Sequence, residues 1–280
     1  MNEYQLTPVE KVGKYTFKRE DLYKPFDFSP VNGSKLRQCQ ILAQKNADFN
    51  GFVTGTSIKS PQAPILSAVG KSMNKPVTIM YGGTTFDNLK SNKYYQLCLS
   101  CGAEVQIASK MAFTSVLNSK SELYAQKHGL YNVKYGIDLM NNLDVFIEST
   151  ANQVQNIGDI DNIVVTVGSS ITILGILYGL AIHNVPCKHI YAIGCAPNRV
   201  DKINEYAEAI FYEKMVRLPI EKMVYVDAFN LYKGFKYENT VSEEYFGIRF
   251  HPRYEAKTFR WLKNNDLIGN TLMWITGSDF

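Results

Sequence analysis

The chain has 280 residues, with 45% hydrophobic and 20% charged side chains, a balance that suits a folded globular protein and excludes a disordered one. Its net charge of +4 is too weak to argue for nucleic acid by itself, and no apolar run reaches the roughly 18 residues a membrane span needs. The start, Met1-Asn2-Glu3-Tyr4-Gln5, has no basic-then-apolar signal pattern, so cytoplasm is the expected compartment.

In chain order, Tyr15-Thr16-Phe17-Lys18-Arg19-Glu20-Asp21 reads as a short extended segment. A turn-rich stretch from Lys24 to Pro30 leads into Asn32-Gly33-Ser34-Lys35-Leu36-Arg37, which opens a helical run from Leu36 to Ala47. Small residues around one lysine allow close approach of another molecule, and a helix start disfavours a second positive charge. Lys35 there is a candidate neutral amine able to attack a carbonyl. Gly51 to Thr56 reads as a buried strand, and a helix follows with Ser60 as N-cap and Pro61 at its first position. Strands are expected at Lys75 to Tyr81 and Glu104 to Ala108, and helices at Ser91 to Leu99 and Met111 to His128, the last closed by Gly129.

A second series follows. Asn142 to Val154 reads as helix, Asp161 to Val167 as the clearest strand, and Ile173 to Ile182 as a helix apolar nearly all round. His189 to Gly194 is a further strand. From Arg199 the pattern loosens; Arg260-Trp261-Leu262 belongs to a late helix and Thr271 to Ile275 to a last strand. The alternation predicts an α/β protein of two domains, each with a mainly parallel sheet flanked by helices. The expected division is a large domain from residues 1–44 and 150–280, with a smaller α/β domain, 45–149, inserted between them. The expected site is the interdomain cleft, where strand C-termini converge.

Cys39, Cys98, Cys101, Cys187 and Cys195 are scattered, and His128, His183, His189 and His251 form no metal-binding spacing, so no metal is expected. Cys98 and Cys101 read as thiols at a helix end. Gly168-Ser169-Ser170-Ile171-Thr172 joins the clearest strand to the most apolar helix. Its N–H groups and the hydroxyls of Ser169, Ser170 and Thr172 can cradle a phosphate. A lysine and a phosphate cradle together are what pyridoxal 5'-phosphate needs.

These motifs resemble, in order, those of the fold type II (tryptophan synthase β-like) pyridoxal-phosphate enzymes, most closely the branch of 1-aminocyclopropane-1-carboxylate deaminase and D-cysteine desulfhydrase. Lys18 to Leu22 looks like the branch's entry segment, and Asn32 to Arg37 like its Schiff-base lysine motif. Ser57 to Gln62 lies where the branch has its substrate loop, and Gly168 to Thr172 like its phosphate loop. Glu244 to Ile248 and His251 to Lys257 are similar to two late motifs, and Thr276-Gly277 to the closing turn.

The resemblance implies that Lys35 binds the cofactor and carries the α-carbon proton, and that Glu255 pairs with the pyridine nitrogen. It implies that Ser60, Tyr245 and Tyr254 face the substrate, and that Gln62 and Thr276 also serve the cofactor. Pro61 stands where the branch has asparagine, which removes an N–H and an amide. The implied function is a lyase or deaminase acting at the α-carbon of a small amino acid. One alternative is a decarboxylase acting on an amino-acid adduct of a nucleotide or DNA base, as in viral base modification; another is an inactive relative serving as a binding subunit. Nucleic acid is a partner the charge does not indicate, no membrane partner is expected, and a homodimer is the expected assembly.

Overall fold

The computed structural model describes residues 3–137, 140–236 and 238–280. The chain enters by β1 (Val9–Val12) and β2 (Tyr15–Arg19), and α1 (Ser34–Lys45) follows the small-residue loop. Next come β3 (Phe52–Ser57), α2 (Gln62–Ser72), β4 (Val77–Gly82), the short α3 (Phe86–Lys90) and α4 (Lys93–Ser100). β5 (Glu104–Ser109), α5 (Thr114–His128) and β6 (Tyr131–Asn132) complete this series. The second series has α6 (Leu143–Thr150), β7 (Asn162–Val167), α7 (Ile171–His183), β8 (His189–Gly194), α8 (Val200–Lys214) and β9 (Met223–Val226). It ends with α9 (Ala228–Leu231), the small ladder of β10 (Glu244–Tyr245) with β11 (Ile248–Arg249), α10 (Glu255–Lys263) and β12 (Thr271–Ile275).

Two compact units result. The first contains Met1–Tyr23, Asn32–Ser34 and Leu143–Phe280, and the second Lys24–Val31 and Lys35–Asn142. Residues 35–44 of the first helix pack with the second unit, because their apolar positions Leu36, Cys39, Ile41 and Leu42 are buried there.

The second unit is built on a parallel sheet in the order β5-β4-β3-β6. β4 is buried along its whole length, as parallel strands are when helices cover both faces. Leu117 and Ala125 of α5 pack on Val53, Met80 and Ala108 of the sheet. A Cβ on Gly55 would lie 2.5 Å from the Leu117 carbonyl oxygen, so glycine there lets the α5 backbone approach β3. Gly129, at φ +64°, ends α5 as expected. α5 starts at Thr114, later than its sequence pattern suggests, with Phe113 before it in an extended conformation (φ −65°, ψ 127°).

The first unit has a six-stranded sheet, β1-β2-β12-β7-β8-β9, parallel except for the β1–β2 hairpin. The last strand sits inside this sheet, between β2 and β7, and Trp274 is fully buried with its indole N–H donating to Glu20 at 2.8 Å. Tyr15, Phe17, Phe250, Phe259 and Met273 form part of the core, with Phe250 and Phe259 stacked at 4.4 Å. α7 packs against the end of α6 and the 3-10 turn Ala151–Asn156. Where the sequence pattern loosens after Arg199, the chain forms the 15-residue α8. Its buried stripe, Ile203, Tyr206, Ala207 and Ile210, was obscured by the neighbouring exposed Phe211 and Tyr212. Among the described residues no helix is long and apolar enough to cross a membrane.

Candidate active site

The lysine motif is pinned from its N-terminal side. Ser34 N–H donates to the Thr276 carbonyl at 2.7 Å, and Gly33 N–H to the Tyr23 carbonyl at 3.0 Å. Asn32 exchanges two hydrogen bonds with Ser278, each 2.9 Å. Gly33 has φ +92°, and a Cβ there would lie 2.4 Å from the Thr276 oxygen, so only glycine fits on both counts. The Asn-Gly-Ser triplet therefore docks on the closing turn, and Lys35 is the next residue. Lys35 is half-buried, and burial lowers its pKa below the usual lysine value. Cys39, one turn on, is pushed up to about 12 by burial, so its thiol stays neutral and gives the amine no counter-charge. The cause is thus chiefly desolvation, where the sequence suggested the helix start.

Glu255 opens α10 and is 1% exposed. Its Oε1 accepts from the Thr276 N–H at 3.2 Å and from the Thr276 hydroxyl. Both bonds favour the carboxylate, yet burial outweighs them and raises the pKa to about 7. Oε2 is buried with no partner among the described residues. A buried carboxyl poised near neutrality, with one oxygen open, is a receptor for a cationic N–H.

The Gly168 loop also has the features of a receptor. Ser170 adopts φ +73° at the start of α7, is 3% exposed, and its hydroxyl has no partner among the described residues. Ser169 is exposed and Thr172 half-buried. A Cβ on Gly168 would meet the Tyr254 ring at 3.8 Å, which brings Tyr254 beside the loop; that ring lies 4.8 Å from His251.

Tyr245 lies elsewhere. Its ring packs edge-on against Tyr15 at 5.5 Å and tilted against Phe259 at 5.2 Å. Its hydroxyl accepts from the Lys14 N–H at 3.4 Å and occupies the space a Cβ on Gly13 would need. These are the surroundings of a packing aromatic. The structure groups it with the core and the β1–β2 turn rather than with Glu255 and Thr276.

The Ser57 to Gln62 loop belongs to the second unit. α2 begins at Gln62 with Pro61 as its cap, since the Pro61 carbonyl accepts from Ile65 N–H at 3.2 Å. The expected cap, Ser60, still accepts from the Gln62 N–H at 3.3 Å through its hydroxyl oxygen. Its hydroxyl proton has no acceptor among the described residues, so one hydroxyl can cap the helix and donate outward.

Gln62 is fully buried. Its amide donates to Thr54 Oγ1 and the Lys134 carbonyl, both at 2.9 Å, and to the Val133 carbonyl at 3.3 Å. Its oxygen accepts from Gly136 N–H at 2.9 Å. Gln62 is a latch for the 133–136 segment, with its amide N–H donors already engaged by Thr54 and that segment. Ser57 pairs with Tyr135 at 3.1 Å, a contact that nothing in the local sequence signals.

No protein-family model matches the chain. Its structure is similar to that of an ACC deaminase homologue, 18% identical, with a TM-score of 0.77 over 98% of this chain and 89% of that one. It is also similar to the processed form of threonine deaminase isoform 2 from Solanum lycopersicum, 15% identical, with a TM-score of 0.64 over 98% and 84% of the two chains. A third, a pyridoxal 5'-phosphate-dependent aspartate racemase, is 14% identical with a TM-score of 0.63 over 98% and 90%. The chain has the fold of the type II pyridoxal-phosphate enzymes. In sequence, this fold type II chain is similar to the O-seryl-dTMP PLP-dependent decarboxylase of Salmonella phage ViI, 26% identical over 347 aligned positions that cover 98% of this chain and 82% of that protein.

Proposed function

We propose that the chain is a pyridoxal-phosphate-dependent decarboxylase acting on an amino acid carried by a nucleotide, the activity for which its phage relative is named. The observation that carries this reading is the depleted donor set at the start of α2. Pro61 has no N–H, the Gln62 N–H is engaged by Ser60, and the Gln62 amide is engaged by residues 133–136. A substrate carboxylate at this end meets few donors, and a poorly stabilised carboxylate is easier to lose. Deamination or elimination on a small amino acid, the first expectation from sequence, requires that carboxylate to be held throughout.

The residues present fit the cofactor. Lys35 offers an amine whose pKa burial has lowered. The unpartnered Ser170 hydroxyl, with Ser169, Thr172 and the first N–H groups of α7, offers donors to a phosphate. Glu255 Oε2 offers an acceptor to a ring nitrogen. When bound, pyridoxal phosphate supplies an electron sink for the bond broken at the α-carbon. Lys35, whose amine burial favours as neutral, would hold the cofactor and would carry the proton that takes the lost carboxyl's place. Glu255, held by Thr276, would pair through Oε2 with the cofactor's ring nitrogen and favour that nitrogen's protonated form. The Ser60 hydroxyl, with no acceptor among the described residues, would be able to donate to the substrate, and Tyr254 flanks the Gly168 loop.

Purified protein with pyridoxal phosphate is incubated with free small amino acids and with O-seryl-thymidine monophosphate, in which serine is joined through its side-chain oxygen and keeps its α-carboxylate. Carbon dioxide from the nucleotide adduct, without ammonia or keto acid, is the expected outcome. Ammonia or keto acid from the free amino acids, with no carbon dioxide from the adduct, refutes the reading. Borohydride should fix the cofactor's mass on the peptide containing Lys35, and Lys35→Ala should abolish both label and turnover; label on another lysine overturns that assignment.

A further inference from the structure

The loop that leaves β8, residues 195–199, runs beside the Gly168 loop that leaves β7. Two hydrogen bonds tie them: Cys195 N–H donates to the Val167 carbonyl at 3.0 Å, and Arg199 Nε to the Gly168 carbonyl at 3.2 Å. Tyr225 of β9 braces the foot of the loop, its hydroxyl standing where a Cβ on Gly194 would be, 2.3 Å away. Arg199 is therefore held through Nε, on a loop fixed at both ends. Its two terminal amino groups have no acceptor among the described residues, and it makes no ion pair there. On the Gly168 loop itself, the 3%-exposed Ser170 hydroxyl is likewise without a partner. A guanidinium with its fork free and a buried hydroxyl with no acceptor thus stand on two adjacent, hydrogen-bonded loops at the C-terminal end of a parallel sheet. A planar fork of this kind matches a phosphate bidentately.

We infer that Arg199 is a phosphate-binding residue that extends the Gly168 cradle and recognises a phosphate monoester. Ser170-Ile171 puts side chains where a glycine pair would bring bare N–H groups close to an anion, and the guanidinium supplies charge in their place. The monoester has two candidate sources: the cofactor, or the nucleotide of the proposed substrate. Only the nucleotide arm rests on the proposed function, and because the test measures binding without turnover, failure of decarboxylation leaves it intact.

Cofactor-free wild type, Arg199→Gln and Arg199→Lys are titrated with pyridoxal phosphate against pyridoxal, and with thymidine 5'-monophosphate against thymidine. Thermal melting checks that each variant is folded. A charged hydrogen bond to phosphate is worth about 10- to 100-fold in affinity. Arg199→Gln should lose that factor for the phosphorylated member of one pair and none for its dephosphorylated counterpart, and Arg199→Lys should recover part of it. Loss for pyridoxal phosphate assigns the cofactor's phosphate; loss for thymidine monophosphate assigns the substrate's. Unchanged affinity for all four ligands, or equal losses with and without phosphate, overturns the inference.

Discussion

Glu255→Gln probes the most unusual group in the first unit. The wild-type carboxyl is carried from its ordinary 4.5 to about 7, chiefly by burial. At about 1.4 kcal/mol per pH unit, this displacement amounts to about 3 kcal/mol. The sign follows from proton counts: between pH 4.5 and 7 the folded state holds more protons at Glu255 than the unfolded state does. Stability is therefore greatest below that window, falls as pH rises through it, and is lowest above about 7. Cofactor-free wild type should lose about 3 kcal/mol relative to Glu255→Gln between pH 5 and 8, read as a divergence of urea midpoints. Saturating pyridoxal phosphate should remove most of that divergence, because a protonated ring nitrogen gives Oε2 the counter-charge it lacks. In the same variant, turnover should fall about 10²- to 10⁴-fold while the cofactor's dissociation constant barely moves. Parallel pH profiles for the two proteins, with and without cofactor, would refute the reasoning.

Two further substitutions test the packing that frames the site. Gln62→Leu leaves the Gly136 N–H and the Lys134 carbonyl without their partner, and should destabilise by about 2–4 kcal/mol in a urea melt; a loss below about 0.5 kcal/mol would mean the latch is not formed. Gly179→Ala should gain about 1 kcal/mol in helix propensity, yet its Cβ would sit 2.5 Å from Val154 Cγ2 and 2.6 Å from the Ala151 oxygen. Overpacking wins, so net destabilisation of about 1–3 kcal/mol is expected, and a variant as stable as wild type would show that α7 does not lie this close.

Much of this protein was legible before any coordinates. The cores of β3, β4, β7, β8 and β12 are short runs rich in Val, Ile and other apolar residues, most of them bounded by Gly, Pro or Asn, and such a run states its own conformation. The Asn-Gly-Ser-Lys motif was legible for a related reason: Gly33 is required by a positive φ and a close approach, and residue type reports both. α8 was missed because periodicity is a weak signal when exposed aromatics sit beside the buried stripe. What only the tertiary structure decided is which distant groups meet and how much water they lose. That residues 133–136 engage the Gln62 amide, and that the Tyr245 ring packs against Tyr15 and Phe259, is visible only in the fold. Glu255 is an ordinary helix-start carboxylate in sequence, where dipole and hydrogen bonds keep such groups ionised. Burial beside the closing turn, contributed by a segment 21 residues further on, moves it to about 7. Conformation is largely a local property of side-chain pattern, whereas hydrogen-bond partners and desolvation belong to pairs of segments that only the folded chain brings together.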